Sequence, residues 1–179
     1  MTNGYEQAQG QRNLLERLGA KIPGYRGFQD RELRRDVDRL LREHMASELG
    51  RLKAELRDRA RAFTDAGKIG ALNGFDRLDR QLDGLSQAVR FSDYGATGLF
   101  DAVKIDEPEL ERIYRFDLSV VDDLAQLESD VAALPAPGGE DAGPALQRLQ
   151  EAARSLDGKW RQREQVIGDA VQAAPGAGT

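Results

Sequence analysis

The chain has 179 residues, a net charge of −5 and no cysteine, so disulfides and thiolate metal sites are excluded. Because 32% of its residues are charged and only 6% are aromatic, the composition favours long helices over a sandwich or a barrel. The length fits one domain, which we place at residues 11–172. We expect a cytoplasmic protein, since no stretch approaches the roughly 18 apolar residues of a membrane helix and the first residues do not resemble a secretory signal.

Charge is distributed unevenly along the chain. Residues 1–61 carry 14 Lys and Arg against 10 Asp and Glu, whereas the remainder carries 12 against 21. A basic first part and an acidic second part attract each other when their helices pack together. A basic face for nucleic acid or anionic lipid is the alternative. Acidic helices beside it would repel phosphate, so we do not expect a nucleic-acid partner.

The first elements are a short helix and a turn. Residues 1–10 are polar, and we expect them to be flexible. Gln11 to Leu18 is predicted to form a short helix that Gly19 ends. The turn IPGYRGF then spans residues 22–28, where Pro23 fixes φ and Gly24 allows a positive φ.

One long helix is predicted from Asp30 to Ala66, with Gly67 as its C-terminal stop. Acidic residues precede arginines at i,i+4 spacing in the pairs Asp30–Arg34, Asp38–Arg42 and Glu55–Arg59. We expect this Arg-rich run to be an exposed, salt-bridged face. The apolar positions recur with an 11-residue period, which indicates a nearly straight helix: Leu41, Met45, Leu49, Leu52, Leu56, Ala60 and Phe63.

The second helix is predicted over Ile69 to Phe91, returning antiparallel to the first because the turn before it is short. Residues 92–105 form a second irregular stretch. A third helix opens at Asp106 with capping signals and ends at Pro135. Residues 135–143, rich in proline and glycine, are predicted to be a mobile linker, and residues 173–179 a flexible tail.

The last helix is predicted to begin at Pro144 and to follow a heptad spacing. That spacing places Trp160 on the core side of the helix. Arg163 interrupts the pattern, since it occupies a position where an apolar side chain is expected.

Helix lengths predict that the two irregular stretches lie at the same end of the molecule. The first helix spans roughly 55 Å and the second roughly 35 Å, so residues 92–105 must cover the difference. Aromatic and basic side chains then converge there, and we interpret them as a candidate interaction site: Tyr25, Arg26, Phe28, Tyr94 and Phe100. The alternative is that the aromatic residues only plug the end of the bundle.

Catalytic motifs are absent from the sequence. His44 is the only histidine, and neither HExxH, GxxxxGK[ST] nor GxSxG occurs. A carboxylate site for two metals is conceivable on such acidic helices, but the Glu-x-x-His signature is missing. We therefore predict no catalytic residue, no metal, no cofactor and no small-molecule substrate.

Three segments resemble a group of short bacterial all-helical proteins: IPGYRGFQDRELRRDVDRLLRE, DYGATGLFDAVKIDEPELERIYRFD and WRQREQVI. The likeness covers most of residues 11–134 and the last helix. It implies no established activity, but it implies proximity to membrane scaffolds of the stomatin and flotillin type, and it adds Lys104 to the candidate interaction site. The matching positions are Gly24, Tyr25, Gly27, Tyr94, Gly95, Gly98, Phe100, Asp101 and Lys104.

These observations predict an all-α protein, an elongated antiparallel bundle of four main helices with a short N-terminal helix. The favoured function is a non-enzymatic interaction or scaffold module that binds a protein partner or a second copy of itself. A membrane-surface protein that uses the Arg-rich helix is the alternative, and a carboxylate metal-site enzyme is third.

Overall fold

A computed structural model describes residues 4–25, 31–92 and 107–173. Within these ranges the protein is all-helical and contains no strand, as the composition predicts. Five helices pack against one another: α1 (Gly4–Lys21), α2 (Arg31–Asp65), α3 (Leu72–Phe91), α4 (Glu107–Ala132) and α5 (Gly143–Ala173). A short 3-10 turn, Ile69–Ala71, leads into α3.

The predicted N-terminal helix is too short at both ends. Helix α1 already includes residues 4–10, which were expected to be flexible, and it continues through Gly19 to Lys21. The chain leaves the helix at Pro23 and Gly24 instead, where Gly24 takes a φ of 85° that side chains disfavour. Gln11 also donates a hydrogen bond to the backbone oxygen of Glu107 on α4, so α1 is held by tertiary contact.

Helices α2 and α3 form an antiparallel hairpin. Gly67 ends α2 as predicted: it has a φ of 70°, and the next amide, that of Lys68, bonds the Phe63 oxygen at 2.8 Å. Salt bridges then join Lys53 to Asp83 and Arg57 to Asp79. Since the residue numbers rise on one helix while they fall on the other, the two helices run in opposite directions.

Helices α4 and α5 form a second antiparallel hairpin. Lys159 pairs with Asp123, and Arg112 pairs with Asp169 at 3.2 Å. Between the helices, Asp141 accepts a hydrogen bond from the amide of Gly143, which caps the first turn of α5.

The two hairpins pack side by side, so that neighbours from different hairpins run parallel. Helix α3 lies along α5, where the side chain of Gln150 donates to the Gly74 oxygen at 3.0 Å. Helix α2 lies along α4, where Arg59 donates to the backbone oxygens of Ala132 and Leu134 at 2.7 and 3.2 Å. Helix α1 packs against α4.

The apolar seams predicted from the sequence line the interior. Trp160 is buried, as its heptad position predicts. Large side chains with at most 2% of their surface exposed come from all five helices, among them Leu18, Leu41, Met45, Leu49, Leu56, Phe75, Leu78, Ile113, Tyr114, Leu156 and Ile167. Three charged residues are buried among them, and these define the site described next.

Candidate functional site

Of the six residues in the predicted interaction site, the structure describes one. Arg26, Phe28, Tyr94, Phe100 and Lys104 lie outside the described residues, as does the predicted meeting of the two irregular stretches. Tyr25 lies in the core, with 5% of its surface exposed.

Tyr25 is fixed by a polar contact inside the molecule. Its hydroxyl donates to Asp117 Oδ2 at 3.1 Å, which ties the turn after α1 to the middle of α4. Burial, together with the Asp117 charge, raises the pKa of Tyr25 well above its ordinary value. Because Tyr25 is buried and hydrogen-bonded, Tyr25→Ala should lower the melting temperature.

Asp117 belongs to a cluster centred on Arg163, which we call the Arg163 cluster (Tyr25, Asp38, Asp117 and Arg163). Arg163 donates from Nε to Asp117 Oδ1 at 2.7 Å and from Nη2 to Asp117 Oδ2 at 3.3 Å. Its Nη1 donates to Asp38 Oδ1 at 2.5 Å. Arg163 of α5 thus makes a bidentate contact with Asp117 of α4 and a single hydrogen bond to Asp38 of α2.

The cluster is sealed from solvent. Arg163 is 4% exposed, Asp38 3% and Asp117 not at all. Burial alone lowers the pKa of Arg163, but the two carboxylates outweigh it and raise that pKa above the ordinary value. Burial likewise raises the pKa of Asp117, and the charge of Arg163 offsets part of this rise.

Arg42 and Trp160 complete the surroundings. Arg42 Nε donates to Asp38 Oδ2 at 2.9 Å, so Asp38 lies between two arginines. The guanidinium of Arg163 also stands 5.5 Å from the ring centroid of Trp160, a cation–π distance. The expectation that Asp38–Arg42 is an exposed surface pair is therefore wrong, because Asp38 is an interior residue on the α5 side of α2.

Sequence reasoning found one of these buried charges and missed the other two. The heptad of α5 showed Arg163 at an apolar position. Asp117 had a comparable signal, since it lies three residues from Tyr114 and from Val120, both of which are buried. An arginine in one apolar seam and an aspartate in another are a pattern that indicates a buried pair.

The Arg163 cluster fixes helices relative to one another. Each carboxylate oxygen of Asp38 and Asp117 already accepts a hydrogen bond from an arginine. Within residues 4–25, 31–92 and 107–173, no group of three or more histidine or acidic side chains is placed to hold a metal ion. The cluster joins the turn after α1 to α2, α4 and α5, and so fixes these four segments relative to each other.

His44 lies away from this cluster, beside a hollow of ≈ 130 Å³ between α2, α4 and the end of α1. Burial lowers its pKa below 6.5, and the charges of Arg51 and Lys21 act in the same direction. His44 is therefore neutral in the folded protein at neutral pH.

An exposed aromatic marks another surface. Phe91, the last residue of α3, is 67% exposed and lies beside Trp160. It stands at the head of what we call the α3–α5 face, which carries two adjacent hollows. The first is lined by Ala88, Phe91, Ser92, Trp160, Arg161 and Glu164, and the second by Gln81, Gly84, Leu85, Ala153, Arg154, Asp157, Gly158 and Arg161.

The comparisons with known proteins return no match to a family model, to a curated protein or to a solved structure. Among the helices described, none has the length and apolar character needed to cross a membrane.

Proposed function

We propose that this chain is a non-enzymatic helical interaction module. Its architecture is an elongated bundle of four main helices, in which each helix runs antiparallel to the next one along the chain. The working surface lies at the end where α2 begins, α3 ends, α4 begins and α5 ends. We assign Arg26, Phe28, Tyr94, Phe100 and Lys104 to this surface because their stretches of sequence connect α1 to α2 and α3 to α4.

The exposure of Phe91 is the observation that carries the proposal. Phe91 is 67% exposed, so its apolar ring is in contact with water. The same residue lines a surface hollow together with Trp160. Large aromatic side chains near shallow hollows are characteristic anchors of protein contacts. A bound partner would remove this surface from water and gain the corresponding free energy.

The Arg163 cluster stabilises the helices near this end of the molecule. It fixes Tyr25, which immediately precedes Arg26, and it holds α5 against α2 and α4 two to three turns from the helix ends. A contact surface made from several segments binds more tightly when those segments are already in place, because less ordering entropy is lost on binding.

The membrane-surface alternative requires unpaired positive charge along α2. The arginines of α2 whose side chains are described are paired with acidic residues instead. Every arginine between residues 36 and 65 has an acidic partner within the molecule: Arg39 with Asp36, Arg42 with Asp38, Arg51 with Glu48, Arg57 with Asp79, Arg59 with Glu55, and Arg61 with Asp58. Paired arginines attract anionic lipid less than unpaired ones, because the neighbouring carboxylate repels the same phosphate.

Affinity capture from the native cells tests the proposal. Tagged wild-type chain is compared with Phe91→Ser and Arg26→Ala, and with Ile69→Ser as a matched control. Ile69 is 70% exposed but lies at the opposite end of the α3 segment. We expect specific partners to be lost from the first two variants and kept by the control.

A second measurement separates the alternative function. The purified chain is sedimented with vesicles that contain or lack anionic lipid. If the wild-type chain sediments only with anionic vesicles while its protein capture is indifferent to Phe91→Ser and Arg26→Ala, the interaction-module proposal is overturned in favour of the membrane one.

A further inference from the structure

We propose that the α3–α5 face binds a second copy of this chain in an antiparallel, twofold-symmetric contact. The inference rests on the proposed interaction function and names a partner for it.

The first observation is a charge pair with matching spacing. Arg154 and Glu164 are both exposed on α5, and each lies five residues from Lys159 in opposite directions. A twofold axis across the helices at the level of Lys159 would set α5 against its copy in reverse. Arg154, roughly 7.5 Å from the axis, then faces Glu164 of the second copy, and the reverse pair forms by symmetry.

The second observation is a knob and a hole at matching distances from the same axis. Phe91 lies beside Trp160, Arg161 and Glu164, roughly 4 Å to one side of Lys159. The hollow that contains Gly84 and Gly158 lies about as far to the other side. The twofold operation therefore brings Phe91 of one copy over this hollow in the other.

The hollow can receive a side chain. A Cβ added at Gly84 or at Gly158 would meet no atom within 4 Å, so both glycines leave open space on the surface. The volume of this hollow is ≈ 400 Å³, and aliphatic atoms of Leu85 and Ala153 contribute to its lining. The ring of Phe91 from the second copy can therefore be buried in this hollow, and no contact within the monomer has to be broken.

A twofold axis across α3 and α5 reverses both helices, so α3 meets its copy while α5 meets its own. Arg161 is already paired with Asp157 at 2.9 Å, so the middle of the face adds no unpaired charge. The contact spans about 15 Å of helix between Arg154 and Glu164, which is small for a permanent dimer and implies weak, concentration-dependent association.

Sedimentation equilibrium of the purified full chain, up to about 1 mM, tests the proposal. We expect a monomer–dimer equilibrium whose dissociation constant rises at least about tenfold in Phe91→Ser. Gly84→Gln should fill the hollow and weaken the dimer while leaving the melting temperature of the monomer unchanged or higher. Ile69→Ser, the equally exposed control, should leave the equilibrium unchanged.

Charge reversal gives the decisive comparison. Arg154→Glu and Glu164→Arg should each weaken the dimer by about fivefold, and the double variant should recover wild-type association because both pairs re-form with opposite sign. A chain that stays monomeric throughout the range overturns the proposal, as does a dimer that ignores Phe91→Ser or a double variant that fails to recover. If the chain is monomeric but Phe91→Ser still abolishes partner capture, the interaction module stands and only self-docking falls.

Discussion

Loss of the Arg163 side chain should strongly lower the free energy of unfolding. Arg163→Met keeps an unbranched apolar stem but leaves Asp38 and Asp117 buried without their shared cation. Removing one partner of a buried ion pair costs about 3–5 kcal/mol, because the remaining charge stays desolvated. Urea denaturation followed by circular dichroism measures the loss.

The matched control is Arg161→Met, on the same helix. Arg161 is exposed and pairs with Asp157, so its loss should cost less than about 1 kcal/mol. Equal urea midpoints for the two variants would mean that Arg163 is not a buried partner of both aspartates.

Trp160 provides an independent measure of the same region. Its side chain is buried on α5 beside Arg163, so Trp160→Ala should destabilise the protein by about 3–5 kcal/mol through the cavity it leaves. Because Trp160 is the only tryptophan, the melting temperature must be followed by circular dichroism rather than by fluorescence. An unchanged melting temperature would place Trp160 in solvent.

His44 should make stability depend on pH. Its pKa in the folded protein lies below 6.5, because burial and the charges of Arg51 and Lys21 disfavour its protonated form. The unfolded chain then binds a proton first as the pH falls. The contribution of His44 is complete above pH 6.5 and declines as the pH drops through that value toward the lower folded-state pKa.

The comparison of wild type with His44→Gln isolates this effect. Melting temperatures of both are measured from about pH 8 to about pH 5, around the ordinary histidine pKa. We expect the advantage of wild type over the variant to shrink on acidification. A constant difference across this range would show that the surroundings of His44 do not disfavour its charged form.

The sequence predicts whether a side chain is buried when the burial follows from the periodicity of its own helix. It fails when the burial depends on a partner far away in the sequence. The heptad placed Trp160 correctly. Asp38 looked like a surface residue because Arg42 stands four positions later, yet its second partner, Arg163, lies 125 positions away. Spacing along one helix cannot show which face of that helix a later helix will cover.

Single glycines report how closely two elements approach. A Cβ at Gly74 on α3 would lie 2.9 Å from Leu146 Cδ1 and 3.4 Å from Leu146 Cβ on α5, so Gly74→Ala must push α3 and α5 apart or force a rotamer change. We expect a loss of about 1 kcal/mol in the free energy of unfolding.

Gly50 is the matched control, in the middle of α2. It is exposed and a Cβ there would meet no atom within 4 Å, so Gly50→Ala should stabilise by about 0.5–1 kcal/mol through helix propensity alone. If both substitutions stabilised the protein equally, α3 and α5 would not be in close contact at Gly74.

The C-terminal ends of α2 and α3 lie within two residues of where the sequence predicts them. Gly67 marks the end of α2 in the sequence and in the structure, and Phe91 ends α3 as predicted. The bounds of α1 were wrong at both ends because its first turns are polar and because Gly19 resembles a stop. Glycine has a low helix propensity, but α1 remains helical at Gly19 because the helix packs against α4.

The arrangement of the two hairpins could not be read from the sequence. A short turn makes consecutive helices antiparallel, so α2–α3 follows from local signals. Which hairpin faces lie together depends on contacts between distant residues, such as Arg59 with the carbonyls that end α4. The parallel neighbours that result, α2 with α4 and α3 with α5, are set by shape and charge across the whole molecule.

The connection between α4 and α5, residues 135–143, should tolerate insertions at its tip better than at its base. Residues 135–143 join the hairpin whose two helices are otherwise held by their own contacts. Inserting several Gly and Ser residues between Gly138 and Gly139, both exposed, should cost only about 0.6 kcal/mol per doubling of the loop length. The same insertion between Asp141 and Ala142 should cost more, since Ala142 is buried and Asp141 caps α5 at Gly143. Urea midpoints of the two variants give the comparison, and equal midpoints, or unfolding by the first insertion, would show that the tip of this connection is as firmly held as its base.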